Sequence, residues 1–240
     1  KSFVSKSLSF NNFLLKLIDE GLNQFSITIR GHSKIRYTMN ETFDIYAFCS
    51  TLENNGYFPM TTSLNIQKLS DFRNDYIFIT KERPTRVNFD DITLEQKDID
   101  SAFNKKPRRT NAHDTIENYR IVMLETNNTS AYEIVEYNGV KVSSVNRTFV
   151  EIISNIHYFK SSNKVIEVFK QIKSSLNLDI IYNVIEKFDF IYPYFQLAGF
   201  YLENIGYTRD QLKKFYTKKS EANAHDILLC VRDGEKQSVP

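Results

Sequence analysis

Apolar residues along this chain recur with two spacings, and the change from one to the other marks out its elements. Phe10, Phe13, Leu14, Leu17 and Ile18 share one helical face over 10–20, with Ser7 or Ser9 as cap and Gly21 as stop. Segments 24–30 and 34–39 alternate instead, and Gly31-His32-Ser33 between them predicts a β-hairpin. A helix is expected over 43–54, ended by Asn55-Gly56, then an aromatic turn, a second short helix and a strand over 75–81. Alternation returns around 86–89, a helix is expected over 95–103, and 105–109 reads as a loop. Segments 119–125, 132–137 and 140–145 read as neighbouring strands, the last two turning at Asn138-Gly139. From Arg147 the period is almost wholly helical, over 147–157, 162–175, 179–188, 194–205 and 209–216, with a last strand over 227–231. Helices and strands in separate runs predict an α+β class.

Composition narrows what such a chain does. Hydrophobic residues make up 41% and charged residues 25% of the 240, normal for a globular protein with a real core. Seven glycines and five prolines argue against long linkers and Gly-rich phosphate loops. The apolar runs are broken by polar residues, which predicts no membrane span, and no signal peptide is apparent. Cys49 and Cys230 each sit in an apolar pattern, so small buried hydrophobes are expected rather than a disulfide or zinc site, in keeping with a cytoplasmic location.

The net charge of +2 is unevenly spread. Residues 1–40 hold six basic and two acidic side chains, giving +4, whereas residues 41–80 hold two and five, giving −3. A helix followed by a basic hairpin is how the second half of a winged helix-turn-helix looks. On that pattern Lys6, Ser7, Ser9, Asn12 and Lys16 would meet phosphates or base edges. Arg30, His32, Lys34 and Arg36, placed near the hairpin tip, would grip the backbone or minor groove. A solvated face is an equally good reading of the same residues. Lys105, Lys106, Arg108 and Arg109, and separately Lys213, Lys214, Lys218 and Lys219, are secondary basic surfaces for a nucleic acid or an acidic partner.

Enzyme chemistry finds little support. Asn-Ala-His-Asp occurs at 111–114 and again at 223–226, and adjacent His and Asp suit a divalent ion. Further ligands at helical spacing are missing, so two loops entering strands are the better account. No Gly-x-Ser-x-Gly elbow occurs, and no Gly-Ser turn with paired aspartates of the kind a nucleotidyltransferase needs. Catalytic residues, metal and cofactor are therefore expected to be absent. His157 reads as a half-buried structural residue, Gly199 as a close helix contact, and Arg147 with Glu151, at i, i+4, as an internal clamp between helix and strands.

Three stretches together resemble the AbiEi family of type IV antitoxins and their regulator relatives. The first is Gly56-Tyr57-Phe58, Thr62-Ser63-Leu64, Lys68-Leu69 and the strand at 76–80; the second is Val145-Asn146-Arg147-Thr148-Phe149-Val150-Glu151; the third is Gln196-Leu197-Ala198-Gly199-Phe200-Tyr201-Leu202-Glu203. The match spans 43 to about 216, with Thr61 where histidine is common, Lys68 where glycine is usual and Asn146 where glutamate is usual. The resemblance implies a partial winged helix over 1–85, with its first helix or two preceding Lys1. It implies a mixed α+β antitoxin domain over 86–240, helical in its second half. It also implies a cytoplasmic repressor that binds its own operator DNA and counteracts a nucleotidyltransferase-like toxin in phage defence. The alternative is a protein–protein interaction module of a phage-defence system without DNA binding.

Overall fold

A three-stranded sheet divides two clusters of buried apolar side chains. The computed structural model describes residues 8–72, 76–87, 95, 97–98, 101, 104–105, 107–192 and 194–217. Strand β3 (Tyr76–Glu82) runs parallel to β5 (Tyr119–Thr126), and β4 (His113–Ile116) pairs antiparallel with the other side of β5. Successive side chains of a strand face opposite ways. Ile77 and Ile79, with Ile121 and Met123, thus enter one cluster, while Phe78 and Val122 enter the other.

The first cluster is covered by the hairpin of β1 (Asn23–Ile29) and β2 (His32–Thr38), whose Ile27 and Ile29 are buried, and by α2 (Ile45–Ser50). The Thr28 N–H donates to Asp114 Oδ2 at 2.8 Å and holds the hairpin beside β4. The second cluster joins α3 (Met60–Ile66) to the helices after the sheet: α4 (Val145–Ser154), α5 (Ser162–Gln171), α6 (Leu178–Phe188), α7 (Tyr194–Ile205) and α8 (Lys213–Thr217). Strands β6 (Ile134–Tyr137) and β7 (Val140–Ser143) form a separate hairpin. It is fastened to the Tyr57-Phe58 turn where the Phe58 N–H donates to Lys141 O and the Ser143 N–H to Phe58 O. Among the described residues the fold is mixed α+β, with eight α-helices and small sheets. No helix there is long and apolar enough to cross a membrane. Residues on both sides of position 85 meet in the central sheet and in the second cluster.

Several expected elements shift. The first hairpin turns through Arg30-Gly31, both with positive φ (53° and 77°), so the turn is one position earlier and two residues long. The helix expected over 43–54 is only Ile45–Ser50, because Asp44 caps it and the chain leaves at Thr51. The strand β5 does not neighbour β6; it lies between β3 and β4. Strand β4 was not expected, being four residues with only one buried, too short to show a period. Residues 86–87 are not extended in a ladder, and of 95–103 the described residues 97, 98 and 101 are helical. The last helix begins at Lys213, not 209. The strand expected over 227–231 lies outside the described residues, as do Lys6, Ser7, Lys106, Lys218, Lys219, His225 and Cys230.

Candidate functional site

Helix α1 (Phe10–Asp19) buries none of its residues. The Ser9 hydroxyl accepts the Asn12 N–H at 3.3 Å and so works as the helix cap. Asn12 and Lys16, one turn apart on the same face as Asp19, are exposed. Glycine at 21, with φ 101°, ends the helix and sends the chain into β1. At the far end of the hairpin, Arg30 occupies the left-handed backbone that a two-residue turn of this hand requires. Arg30 and His32 are exposed there, without side-chain partners among the described residues.

Lys34 and Arg36 do not join them. In β2 the inward positions are 34, 36 and 38, so these two cations turn toward the C-terminal end of α2. Lys34 Nζ donates to Leu52 O and lies 3.9 Å from Glu53. Arg36 donates through Nε to Thr51 Oγ1 at 2.8 Å and through Nη2 to Thr51 O at 2.5 Å. Unfilled carbonyls at a helix end attract cations, which accounts for the arrangement. The outward side of β2 carries Ile35 and Tyr37, with exposed Met39 just beyond.

The densest polar site is interior. Arg147 is fully buried and makes five hydrogen bonds. Its Nε donates to Glu151 Oε1 at 2.8 Å, Nη1 to Thr129 Oγ1 at 2.8 Å and to Tyr132 O at 2.6 Å, and Nη2 to Tyr57 Oη at 2.8 Å and Glu82 Oε1 at 3.1 Å. Its guanidinium also lies 4.9 Å from the Tyr57 ring centre and 4.8 Å from that of Phe188. Glu151 accepts the Tyr57 hydroxyl at 2.9 Å, the Ser143 hydroxyl at 2.7 Å and the Met60 N–H at 3.3 Å. Burial and the Glu151 charge push the Tyr57 hydroxyl well above its usual range. Burial works against the arginine's charge, but Tyr57 and Glu151 outweigh it and raise its pKa. Burial likewise opposes the Glu82 charge, yet the Thr129 hydroxyl, the Ala131 N–H and Arg147 hold its carboxyl below the ordinary value. Both Glu151 oxygens are taken, leaving no lone pair poised for proton abstraction. The expected Arg147–Glu151 clamp is present; Tyr57, Glu82, Thr129 and Ser143 complete it, and no spacing in the chain announces them. A cleft of about 330 Å³ opens beside Tyr57 and Glu151, walled by Phe188, Tyr192 and Tyr194.

Among the described residues no three His, Cys, Asp or Glu side chains stand together to hold a metal. His113 is exposed at the start of β4, and Asp114 is taken by the Thr28 and Thr115 N–H groups. Of the secondary basic residues, Lys105, Arg108 and Lys213 are exposed. Lys214 instead pairs with Asp179 and lies 5.2 Å from the Tyr182 ring centre. Arg109 donates to His157 O at 2.7 Å and lies 5.6 Å from the Tyr158 ring centre. Arg120, which the sequence did not single out, lies 5.5 Å from the centre of the Tyr76 ring. The chain matches no known protein-family profile and no curated protein.

Proposed function

We propose that this protein is a cytoplasmic DNA-binding regulator of antitoxin type, in which α1 and the β1–β2 hairpin serve as the second half of a winged helix. The observation that carries the reading is α1 itself: a capped helix with no buried residue, displaying Asn12 and Lys16, followed at once by a hairpin whose tip displays Arg30. A helix that leaves Asn12 and Lys16 exposed is able to enter the major groove, and a cationic tip to meet the phosphates beside it. The operator is that of its own operon. The counterpart, a nucleotidyltransferase-like toxin, enters through the resemblance at 56–80, 145–151 and 196–203.

The decisive variant is Arg30→Asn. Asparagine suits the left-handed turn better than arginine, so folding is unharmed while the cation is lost. In anisotropy titrations on the promoter duplex over a range of salt, this variant flattens the log–log slope by about one unit. Asn12→Ala alters preference between promoter and scrambled duplex. Equal binding of both duplexes by the wild type, with an unchanged slope in Arg30→Asn, removes the winged-helix reading. Rescue of cells expressing the neighbouring toxin gene tests the antitoxin part.

A second reading is favoured by one observation. Phe10 and Leu15 on α1 are 72% and 59% exposed, and Met39 after β2 is 60% exposed. These apolar residues suit a protein partner, and the chain would then be an interaction module. In such a module Leu15→Lys and Met39→Lys abolish capture of that partner, and the wild type binds promoter duplex no better than scrambled duplex.

A further inference from the structure

We propose that Arg108, Arg109 and Arg120 form a second nucleic-acid surface, one that holds the phosphate backbone without regard to base sequence. Arg120 and Tyr76 are register partners at the start of two parallel strands, and the Arg120 guanidinium lies on the Tyr76 ring. The Tyr76 and Tyr158 rings meet edge to face, with centres 6.1 Å apart. Arg109 completes the group, lying against Tyr158 and donating to Tyr76 Oη at 3.5 Å and to His157 O. Two guanidiniums are thereby pinned to neighbouring rings, and Arg108 is exposed beside Arg109 in the chain.

Three properties point to phosphate. Among the described residues none of the three arginines is in an ion pair, whereas Arg83, Arg86, Arg147 and Arg209 all are. Among the described residues neither Arg108 nor Arg120 spends a side-chain donor on the protein, so forked N–H groups remain for an oxyanion. Holding an arginine against an aromatic face reduces the rotamer freedom lost when it binds. A protein partner is less well served. Such interfaces draw their energy from a buried apolar centre, and the exposed large hydrophobe nearest in sequence, Tyr119, faces the other side of the sheet from Arg120. Backbone contacts need only cations held in place. The patch lies on the helical face of the sheet, with Phe78 and Val122, and the β1–β2 hairpin packs on the opposite face. The proposal therefore does not depend on the hairpin reading.

The test is anisotropy of the full chain on a labelled duplex of scrambled sequence, and on one of its strands, across a salt series. Arg108→Gln should lower the slope of log affinity against log salt by about one unit on the duplex, and Arg109→Gln with Arg120→Gln by about two. The fall on the single strand is slightly smaller, about 0.7 per contact. Among the described residues Arg108 has no hydrogen-bond or ion-pair partner, so its variant is the milder one for folding; thermal unfolding checks both variants. Wild-type slopes in Arg108→Gln and in a folded double variant overturn the proposal. Wild-type slopes combined with lost capture of a polyglutamate peptide overturn it in favour of an acidic protein. If Arg30→Asn keeps full promoter binding while the arginine variants lose scrambled duplex, the hairpin reading fails and this one stands.

Discussion

Replacing Arg147 with methionine removes one fully buried charge. Glu151, at 7% side-chain exposure, keeps the Tyr57 and Ser143 hydroxyls and the Met60 N–H. Glu82, at 13%, keeps the Thr129 hydroxyl and the Ala131 N–H. Removing one partner of a buried ion pair costs about 3–5 kcal/mol. The neutral donors left on each carboxylate place this case near the lower figure, about 3 kcal/mol. For a chain of this length that is a fall of roughly 6–12 °C in the unfolding midpoint. Lysine at 147 restores little, because one ammonium has no fork to span Glu151, Thr129, Tyr132, Tyr57 and Glu82 at once. Glu151→Met breaks the same cluster, so the double variant costs less than the two singles added, by about 1–3 kcal/mol. Urea unfolding of the four proteins, followed by circular dichroism, gives the cycle. A methionine variant within about 1 kcal/mol of wild type, or costs additive to about 0.5 kcal/mol, refutes the account.

Other outcomes follow from packing and protonation. Burial, and Arg109 beside it, depress the His157 pKa from 6.5 to about 4. The unfolded chain therefore takes up a proton that the folded chain refuses, and stability falls as pH drops from about 6.5 to about 4; His157→Gln flattens that part of the curve. Burial and the Asp44 charge push the Cys49 thiol up to about 12, so peptide mapping after alkylation of the native protein finds Cys49 unmodified. Gly199→Ala sets a methyl 2.9 Å from the Tyr216 ring, but Tyr216 is partly exposed and free to swing, and alanine favours the helix. The two nearly cancel, giving a stability change below about 1 kcal/mol in thermal melts, with the Tyr216–Glu203 bond lost. A chain starting at residue 90 lacks β3, Phe78 and Leu64 and is expected to be insoluble; a well-dispersed amide spectrum from it refutes that.

The elements legible in the sequence are those in which a single face is buried for several turns. The helix at 194–205 appears with its predicted ends, because Leu197, Ala198, Tyr201, Leu202 and Ile205 repeat along one side. The turn at Asn138-Gly139 is equally plain, since few other pairs tolerate two positive φ values in succession. The parallel pairing of β3 with β5 could not be read, because register between strands some forty residues apart leaves no local trace. The same limit hid the arginine patch, which exists only once Tyr76 and Arg120 are placed side by side. Lys34 and Arg36 were misplaced for a different reason. A one-residue shift of the turn reverses which side of β2 faces inward, and the cations went to the helix end.

The buried arginine also bears on how the chain is made. Tyr57 bonds to a glutamate 94 residues later. At ordinary rates of synthesis, roughly 5–20 residues per second, about 5–20 s pass between the making of these two residues. For the first part of that interval the strand at 76–82 lacks β5, and for all of it the helices after 154, so Ile77, Phe78 and Ile79 form an apolar stretch open to other chains. The unfinished protein is thus a natural client for a chaperone that holds nascent chains. Slower decoding between residues 82 and 147 should raise the aggregated fraction, although the finished molecule would be identical.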